Sequence, residues 1–328
     1  MKTKTSNRWL VTGGAGFIGS HLVDLLIERN DQVVVLDDLS GGSLSNLPDS
    51  ALLTVHTGDV GCPNRLAQAM AGVTGIFHCA ALVGVQDCIR DWTGGHARNL
   101  TATIRLFETA RKAGNVPVVY ASSAAVYGDR SDDVCHEELQ ERPLSPYGAD
   151  KLACEHQASA FWQIHQLPTA GLRFFNVYGP RQSATSAYSG VTALFSANEW
   201  AGRKSVIIGD GRQSRDFIFV SDVVRGMAAA MDRLHSDPAC LVSNLCTGRS
   251  ITVLELLGII QSETDGKSLP PEFKPGRAGE IRHSRGSTKR MRENLGITDL
   301  VPIEKGIAEY LRWELSEQKT VERLSALG

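Results

Sequence analysis

The feature that most constrains the fold is the segment VTGGAGFIGSH, in which glycines recur at every third position. It follows the apolar run RWLV and opens FIGSHLVDLLIERN, whose apolar residues recur at helical spacing. A glycine turn between a buried strand and a helix lets the backbone approach a pyrophosphate, whose charge the first helical N–H groups bind. We therefore predict a dinucleotide-binding βα unit in which the cofactor contacts Gly13, Gly16, Phe17, Ile18 and Gly19.

A carboxylate ends the second predicted strand at the position that such a site requires. Asp37 follows Gly16 by about 20 residues, the separation at which a side chain can bind a ribose diol. Asp37 and Asp38 would repel a 2′-phosphate, and the following LSGGSLSN has no lysine or arginine to bind one. The sequence therefore predicts that the cofactor is NAD rather than NADP.

Short apolar runs alternate with helical patterns up to about residue 180. The predicted strands are RWLVTGG (8–14), QVVVLDD (32–38), LLTVHTGD (52–59), GIFHCAA (75–81), VPVVYASSA (116–124) and TAGLRFFN (169–176). Long helical patterns also occupy about 96–113 and 147–166. Repeated strand–helix units predict an α/β fold with a Rossmann-type, doubly wound parallel sheet.

The alternation ends near residue 176, where the chain becomes rich in Gly, Ser, Thr and Pro. We predict an NAD-binding domain over 1–176, to which segments near 215–248 return. Residues 177–328 would form mainly a smaller, C-terminal α/β substrate-binding domain.

Two further strand ends are candidate cofactor contacts. Asp59 and Val60 end the third strand, where an adenine would lie, and Ala80 and Ala81 end the fourth. The sequence leaves open whether these four residues bind the cofactor or are ordinary strand ends.

The candidate catalytic residues follow the fifth strand. Ser123 lies in YASSAAVYG, and Tyr147 and Lys151 lie one helical turn apart in SPYGADK. A lysine ammonium beside a phenol favours the phenolate. Strand ends and helix starts line one crevice of a parallel sheet, so we expect the three side chains to converge on a nicotinamide.

Taken together, T-G-G-x-G-F-I-G, S-S-x-x-V-Y-G, Y-x-x-x-K and R-F-F-N-V-Y-G-P resemble the extended short-chain dehydrogenase/reductase family. The closest resemblance is to its nucleotide-sugar epimerases and dehydratases, over about residues 8–313. The resemblance implies that Tyr147 is the general base on a sugar hydroxyl. Lys151 would hold the nicotinamide ribose, and Ser123 would hydrogen-bond the same sugar oxygen. Asn99 resembles a family position that supports the catalytic set and is a candidate cofactor contact, although a helix-surface asparagine is an open alternative.

The resemblance also implies the reaction. Family dehydratases and decarboxylases carry acidic residues just after the catalytic serine, where this chain has Ala124 and Ala125. Alanine cannot transfer a proton, which favours chemistry with a single base. We predict epimerisation at C4 of a UDP-hexose through a transient 4-keto intermediate. The alternatives are a dehydratase or decarboxylase with a rearranged acid and, less favoured, a non-catalytic NAD-binding sensor.

The resemblance further implies a site for a nucleotide diphosphate and its sugar. Phe174 would contact the cofactor, and the substrate would contact Ser123, Asn176, Arg215, Arg277, Glu280 and Ser284. Arginine suits this role because its planar fork donates two hydrogen bonds to one phosphate. Ser284 matches a position where a small residue accompanies acceptance of 2-acetamido sugars, so UDP-GlcNAc and UDP-GalNAc are the predicted pair, with UDP-glucose and UDP-galactose as further candidates.

The bulk composition limits the partners. A net charge of -2 provides no basic field for nucleic acid, and no 18-residue apolar stretch predicts a membrane span. The seven cysteines include no C-x-x-C pair, and no metal-ligand motif occurs, which favours reduced thiols in the cytoplasm and no metal site. Family resemblance implies a homodimer through the helices near 96–113 and 147–166.

Overall fold

The computed structural model describes residues 7–130, 134–182, 190–264, 269–276 and 281–325. Within them a seven-stranded parallel sheet has the order β10-β6-β5-β4-β1-β2-β3. Its strands are β1 (Arg8–Thr12), β2 (Gln32–Asp37), β3 (Leu53–Thr57), β4 (Gly75–His78), β5 (Val118–Ser123), β6 (Thr169–Phe174) and β10 (Cys240–Leu245). The predicted Rossmann-type parallel sheet is confirmed, and each of the six predicted strands contains one of these strands.

Two smaller sheets lie in the second half of the chain. Their strands are β7 (Asn176–Tyr178), β8 (Val206–Ile208), β9 (Ser214–Phe219), β11 (Ser250–Thr252) and β12 (Glu272–Lys274). Strand β9 lies between β11 and β7 in one sheet, and β12 pairs with β8 in the other.

The α-helices in the described part of the chain are α1 (Phe17–Glu28), α2 (Pro63–Ala69), α3 (Val85–Arg90), α4 (Trp92–His96), α5 (Ala102–Lys112), α6 (Pro146–His165), α7 (Val191–Trp200), α8 (Val220–Ser236), α9 (Val253–Glu263), α10 (Lys289–Leu295) and α11 (Ile303–Ser325). The helix predicted over 96–113 is not uniform, because a π-helical turn over 97–101 joins α4 to α5.

Helices cover both faces of the main sheet, which explains why its strands are continuous apolar runs. Trp9 and Val11 of β1 point into a core with α1 and α8, whereas Leu10 points into a core with α2 and α5. Strand order reverses between β1 and β4, and the carboxyl ends of the strands form a ligand crevice at such a reversal.

The chain crosses between the two halves more than once. From the predicted returning segment, 215–248, β10 joins the main sheet beside β6, and α8 packs on that sheet. Strand β9 of the same segment instead pairs with β7 and β11 in the second half.

Candidate active site

The glycine turn between β1 and α1 borders a cavity of about 440 Å³. Gly13 has φ +68°, and a Cβ there would lie 2.6 Å from the backbone nitrogen of Ala80. A Cβ at Gly19 would clash with the Gly13 carbonyl oxygen, so helix and turn pack too closely for a side chain. All five residues predicted from the glycine turn line the cavity, and the amino end of α1 faces it.

Asp37 and Asp38 also line this cavity. The Asp37 carboxylate accepts hydrogen bonds from the backbone N–H groups of Ala15 at 2.9 Å and Leu39 at 2.8 Å. It therefore braces the glycine turn, and its remaining lone pairs are available for a ribose diol. Asp38 accepts two hydrogen bonds from Ser40, and no lysine or arginine lies between the aspartates and Asn46.

The predicted residues at the ends of β3 and β4 occupy the same cavity. Asp59, Val60, Ala80 and Ala81 all line it. The Asp59 carboxylate accepts a hydrogen bond from the backbone N–H of Gly61, which ties the loop after β3.

Asn99 is buried in the π-helical turn and does not line the cavity. Its amide oxygen accepts from the Leu82 N–H at 2.8 Å, and its amide nitrogen donates to the Leu82 carbonyl at 3.1 Å. Asn99 therefore holds the peptide groups of Leu82, a residue that lines the cavity. Direct contact between Asn99 and the cofactor stays a prediction.

Helix α6 brings Tyr147 and Lys151 to the carboxyl end of β5, where Ser123 lies. The helix begins after Ser145, whose side chain accepts a hydrogen bond from the Gly148 N–H, and Pro146 takes the first helical position. Ser123, Tyr147 and Lys151 all line the cavity. The Lys151 ammonium lies 5.7 Å from the centre of the Tyr147 ring and donates to the Ala121 carbonyl at 2.7 Å.

Two other titratable side chains of β4 and its end are unsuited to proton transfer. Burial, with a smaller effect of the Lys151 charge, lowers the pKa of His78 to about 3. The neutral ring hydrogen-bonds Thr12 and Thr103. Burial raises the pKa of Cys79 to about 12, so its thiol is protonated at neutral pH.

The cavity lining also contains residues that the sequence analysis did not single out. Among them are Leu82, Arg98, Ser122 and Gln182. Ser122 adjoins the predicted Ser123, so extending that motif by one residue would have found it. Arg98 and Gln182 carry no such signal, because only the folding of their segments brings them to the cavity.

The predicted substrate residues are less closely grouped. Asn176 is exposed at the start of β7, and Arg215 donates to the carbonyls of Ser214 and Arg282. The Ser284 backbone N–H donates to the Ser214 carbonyl, which places Ser284 beside β9. None of these three lines the cavity, and the predicted Arg277 and Glu280 lie outside the described residues.

In the part of the chain that the structure describes, no group of three or more His, Cys, Asp or Glu side chains could hold a metal ion. Over the same residues, no helix combines the length and apolar character needed to cross a membrane.

The arrangement fits a dinucleotide cofactor. The glycine turn and the amino end of α1 can bind the pyrophosphate, and Asp37 can bind the adenosine ribose. Tyr147 and Lys151 can contact the nicotinamide end of the cofactor. The fold and the site together define a Rossmann-type nucleotide-binding enzyme with a tyrosine–lysine pair.

Comparison with known proteins agrees with this class. The model of the NAD dependent epimerase/dehydratase family matches residues 9–245. The chain is 37% identical over 313 residues to UDP-glucose 4-epimerase of Mycolicibacterium smegmatis, covering 93% of this chain and 98% of that protein. The chain therefore belongs to the NAD dependent epimerase/dehydratase family, and NAD is its cofactor.

Two solved structures have the same fold over nearly the whole chain. UDP-N-acetylglucosamine 4-epimerase from Methanobrevibacter ruminantium, in complex with UDP-N-acetylmuramic acid, has a TM-score of 0.90 and 32% identity, covering 95% of this chain and 99% of that one. UDP-glucose 4-epimerase of Thermus thermophilus, in complex with NAD, has a TM-score of 0.84 and 31% identity, covering 93% and 98%.

Proposed function

We propose that this protein is an NAD-dependent UDP-hexose 4-epimerase that interconverts UDP-GlcNAc and UDP-GalNAc, with UDP-glucose and UDP-galactose as further candidate substrates. The observation that carries the proposal is that Tyr147, Lys151 and Ser123 border one cavity. The serine is followed in the sequence by Ala124 and Ala125, which cannot transfer a proton. The relatives named above are 4-epimerases, which supports the choice within the family.

Each catalytic side chain has one task. Tyr147 takes the proton of the sugar C4 hydroxyl and later returns it. Lys151 holds the nicotinamide ribose, while Ser123 hydrogen-bonds the C4 oxygen. Bound NAD supplies reversible hydride acceptance at C4. The sugar rotates as a 4-keto compound between the two transfers, so one base serves both faces.

The second half of the chain supplies the proposed substrate grip. Asn176, Arg215 and Arg277 would bind the diphosphate. Glu280 would accept a hydrogen bond from a hydroxyl of the uridine ribose. The backbone next to Arg215 is anchored, because the adjacent Asp216 carboxylate accepts hydrogen bonds from Thr247, Gly248 and Gly286. We propose that residues 177–328 form mainly this substrate domain and residues 1–176 the NAD-binding domain.

Incubation of the purified protein with UDP-GlcNAc, followed by NMR, tests the proposed function. We expect UDP-GalNAc to appear without added NAD, because NAD would stay tightly bound to the protein and be regenerated in each turnover. A 4-keto-6-deoxy or pentose product would identify a dehydratase or decarboxylase instead. No turnover of any UDP- or dTDP-sugar by NAD-loaded protein would favour a sensor.

Sugar selectivity should depend on the side-chain volume at Ser284. Replacing Ser284 with tyrosine is expected to lower kcat/KM for UDP-GlcNAc by roughly 10–100-fold, because a ring would occupy the space of the N-acetyl group. The rate with UDP-glucose should change far less. Ser284→Ala is the matched control and should retain both activities. An unchanged UDP-GlcNAc rate in Ser284→Tyr would disprove the volume argument.

We further propose that the protein forms a homodimer through the faces of α5 and α6. We also propose that it works in a reducing cytoplasm. Ile164 of α6 is 72% exposed, and a partner helix would remove its side chain from water. All seven cysteines are free thiols. Sedimentation at micromolar concentration should give about twice the monomer mass, and a monomer there would exclude this assembly.

A further inference from the structure

Helix α6 is attached to β5 at two levels, one helical turn apart. Lys151 donates to the Ala121 carbonyl at 2.7 Å, and Glu155 accepts a hydrogen bond from the Ser122 hydroxyl at 2.5 Å. Ser122 directly precedes Ser123, whereas Tyr147 lies one turn before Lys151. The two attachments therefore lie next to Ser123 and one to two turns after Tyr147.

The Glu155 carboxylate is itself held by the neighbouring strand β6. Arg173 lies opposite Ser122 in the sheet register and donates to both carboxylate oxygens, from Nε at 2.9 Å and from a terminal nitrogen at 2.6 Å. Arg173 also donates to Glu141 at 2.6 Å, and its guanidinium carbon lies 4.8 Å from the centre of the Tyr127 ring.

These side chains have little freedom to move. Arg173 is 2% exposed, Glu155 7% and Ser122 2%. A buried carboxylate is stable only where it is paired and hydrogen-bonded, so Glu155 cannot leave Arg173 without a large energetic cost. Glu155 and Arg173 do not line the cavity, whereas Ser122 does, so any effect of the ion pair on catalysis is indirect.

We propose that Ser122, Glu155 and Arg173 form a positioning network that sets the distance between Ser123 and the Tyr147–Lys151 pair. This inference rests on the proposed function, in which those three residues act on one sugar oxygen. The ion pair fixes Glu155 relative to the sheet. The hydroxyl of Ser122, the residue just before Ser123, donates a hydrogen bond to this fixed carboxylate. The Lys151 and Ser122 hydrogen bonds join α6 to β5, and the Glu155–Arg173 ion pair joins the same part of α6 to β6.

Replacing Ser122 with alanine tests the network, because it removes one hydroxyl and leaves the Arg173–Glu155 ion pair in place. We expect kcat to fall roughly tenfold with KM changed less than about twofold, since displacement of reacting groups by ~1 Å can cost up to ~100-fold in rate. Bound NAD and the melting temperature should stay close to wild type. Ser122→Thr, which keeps the hydroxyl, should retain at least about half of the wild-type kcat.

A buried serine outside the network provides the matched control. Ser196 of α7 is buried, and its hydroxyl has no hydrogen-bond partner among the residues that the structure describes. Ser196→Ala should leave kcat unchanged. A kcat within about twofold of wild type in Ser122→Ala would overturn the inference, as would a loss no greater than the loss of folded or NAD-loaded protein. A Ser122→Thr variant as slow as Ser122→Ala would also overturn it. If Ser122→Ala does not fold, Ser122→Gly, which also removes the hydroxyl, is judged by the same criteria.

Crystal structures of wild type and Ser122→Ala with NAD provide a readout that requires no turnover. We expect the first turn of α6 to move relative to β5, which would lengthen the Ser123–Tyr147 separation in the variant. An unchanged separation would overturn the inference even if the variant were slow. Failure of wild type to convert any UDP-hexose would instead refute the proposed function, and the crystallographic comparison would still decide the geometry.

Discussion

Replacing Tyr147 with phenylalanine is expected to lower kcat by roughly 10³-fold or more while the protein keeps its NAD. The change removes one oxygen and preserves the ring that lies beside the Lys151 ammonium. His78 and Cys79 cannot take over as base. Burial lowers the pKa of His78, so its ring is too weak a base, and burial raises the pKa of Cys79, so its thiol stays protonated. With alanine at 124 and 125, neither of these adjacent side chains can accept the proton.

The measurement is the initial rate of UDP-GlcNAc epimerisation, with bound NAD quantified after denaturation. Tyr178→Phe is the matched control, because this buried tyrosine donates to the Ile303 carbonyl and does not line the cavity. It should retain wild-type activity within a fewfold range. Turnover by Tyr147→Phe above about one tenth of wild type would contradict the assignment of Tyr147 as the base.

Replacing Arg173 with methionine is expected to lower the free energy of unfolding by about 3–5 kcal/mol. The side chain that is lost pairs with Glu155 and Glu141 inside the protein. Methionine fills much of the volume but cannot compensate the Glu155 charge, which would then be buried without its ion-pair partner. Urea denaturation of wild type and variant gives the difference.

Two variants separate the charge effect from general loss of packing. Arg282→Met removes a half-exposed guanidinium that pairs with Asp210, and it should cost less than about 1 kcal/mol. Arg173→Met combined with Glu155→Gln removes the uncompensated charge, so it should recover part of the lost stability. If the double variant were no more stable than Arg173→Met alone, buried charge would not be the cause.

The site could be predicted from the sequence where it depends on local motifs. Glycine spacing, the aspartates after β2 and the Tyr147–Lys151 pair each have a local chemical reason, and the structure places all of them around one cavity. Asn99 shows the limit of this approach. Family resemblance made it a candidate cofactor contact, which stays a prediction, whereas its hydrogen bonds to the Leu82 backbone have no signal in the sequence.

The fold was predictable in its main sheet because strands buried on both faces are apolar runs that stand out between helical patterns. The π-helical turn over 97–101 was not predictable, since its amino acids are compatible with an ordinary α-helix. The return of β10 to the edge of the main sheet was predicted only approximately, within 215–248, because pairing between distant strands leaves little local trace.

By itself the sequence determined the dinucleotide-binding unit, the preference for NAD and the side chains available for proton transfer, because each depends on residue type at short spacing. Only the tertiary structure decided how these parts are held together. Ser122, Glu155 and Arg173 lie far apart along the chain, and they meet because α6 packs across the adjacent strands β5 and β6. A buried ion pair of this kind is a property of three-dimensional packing, since its members become partners only when folding excludes water from both.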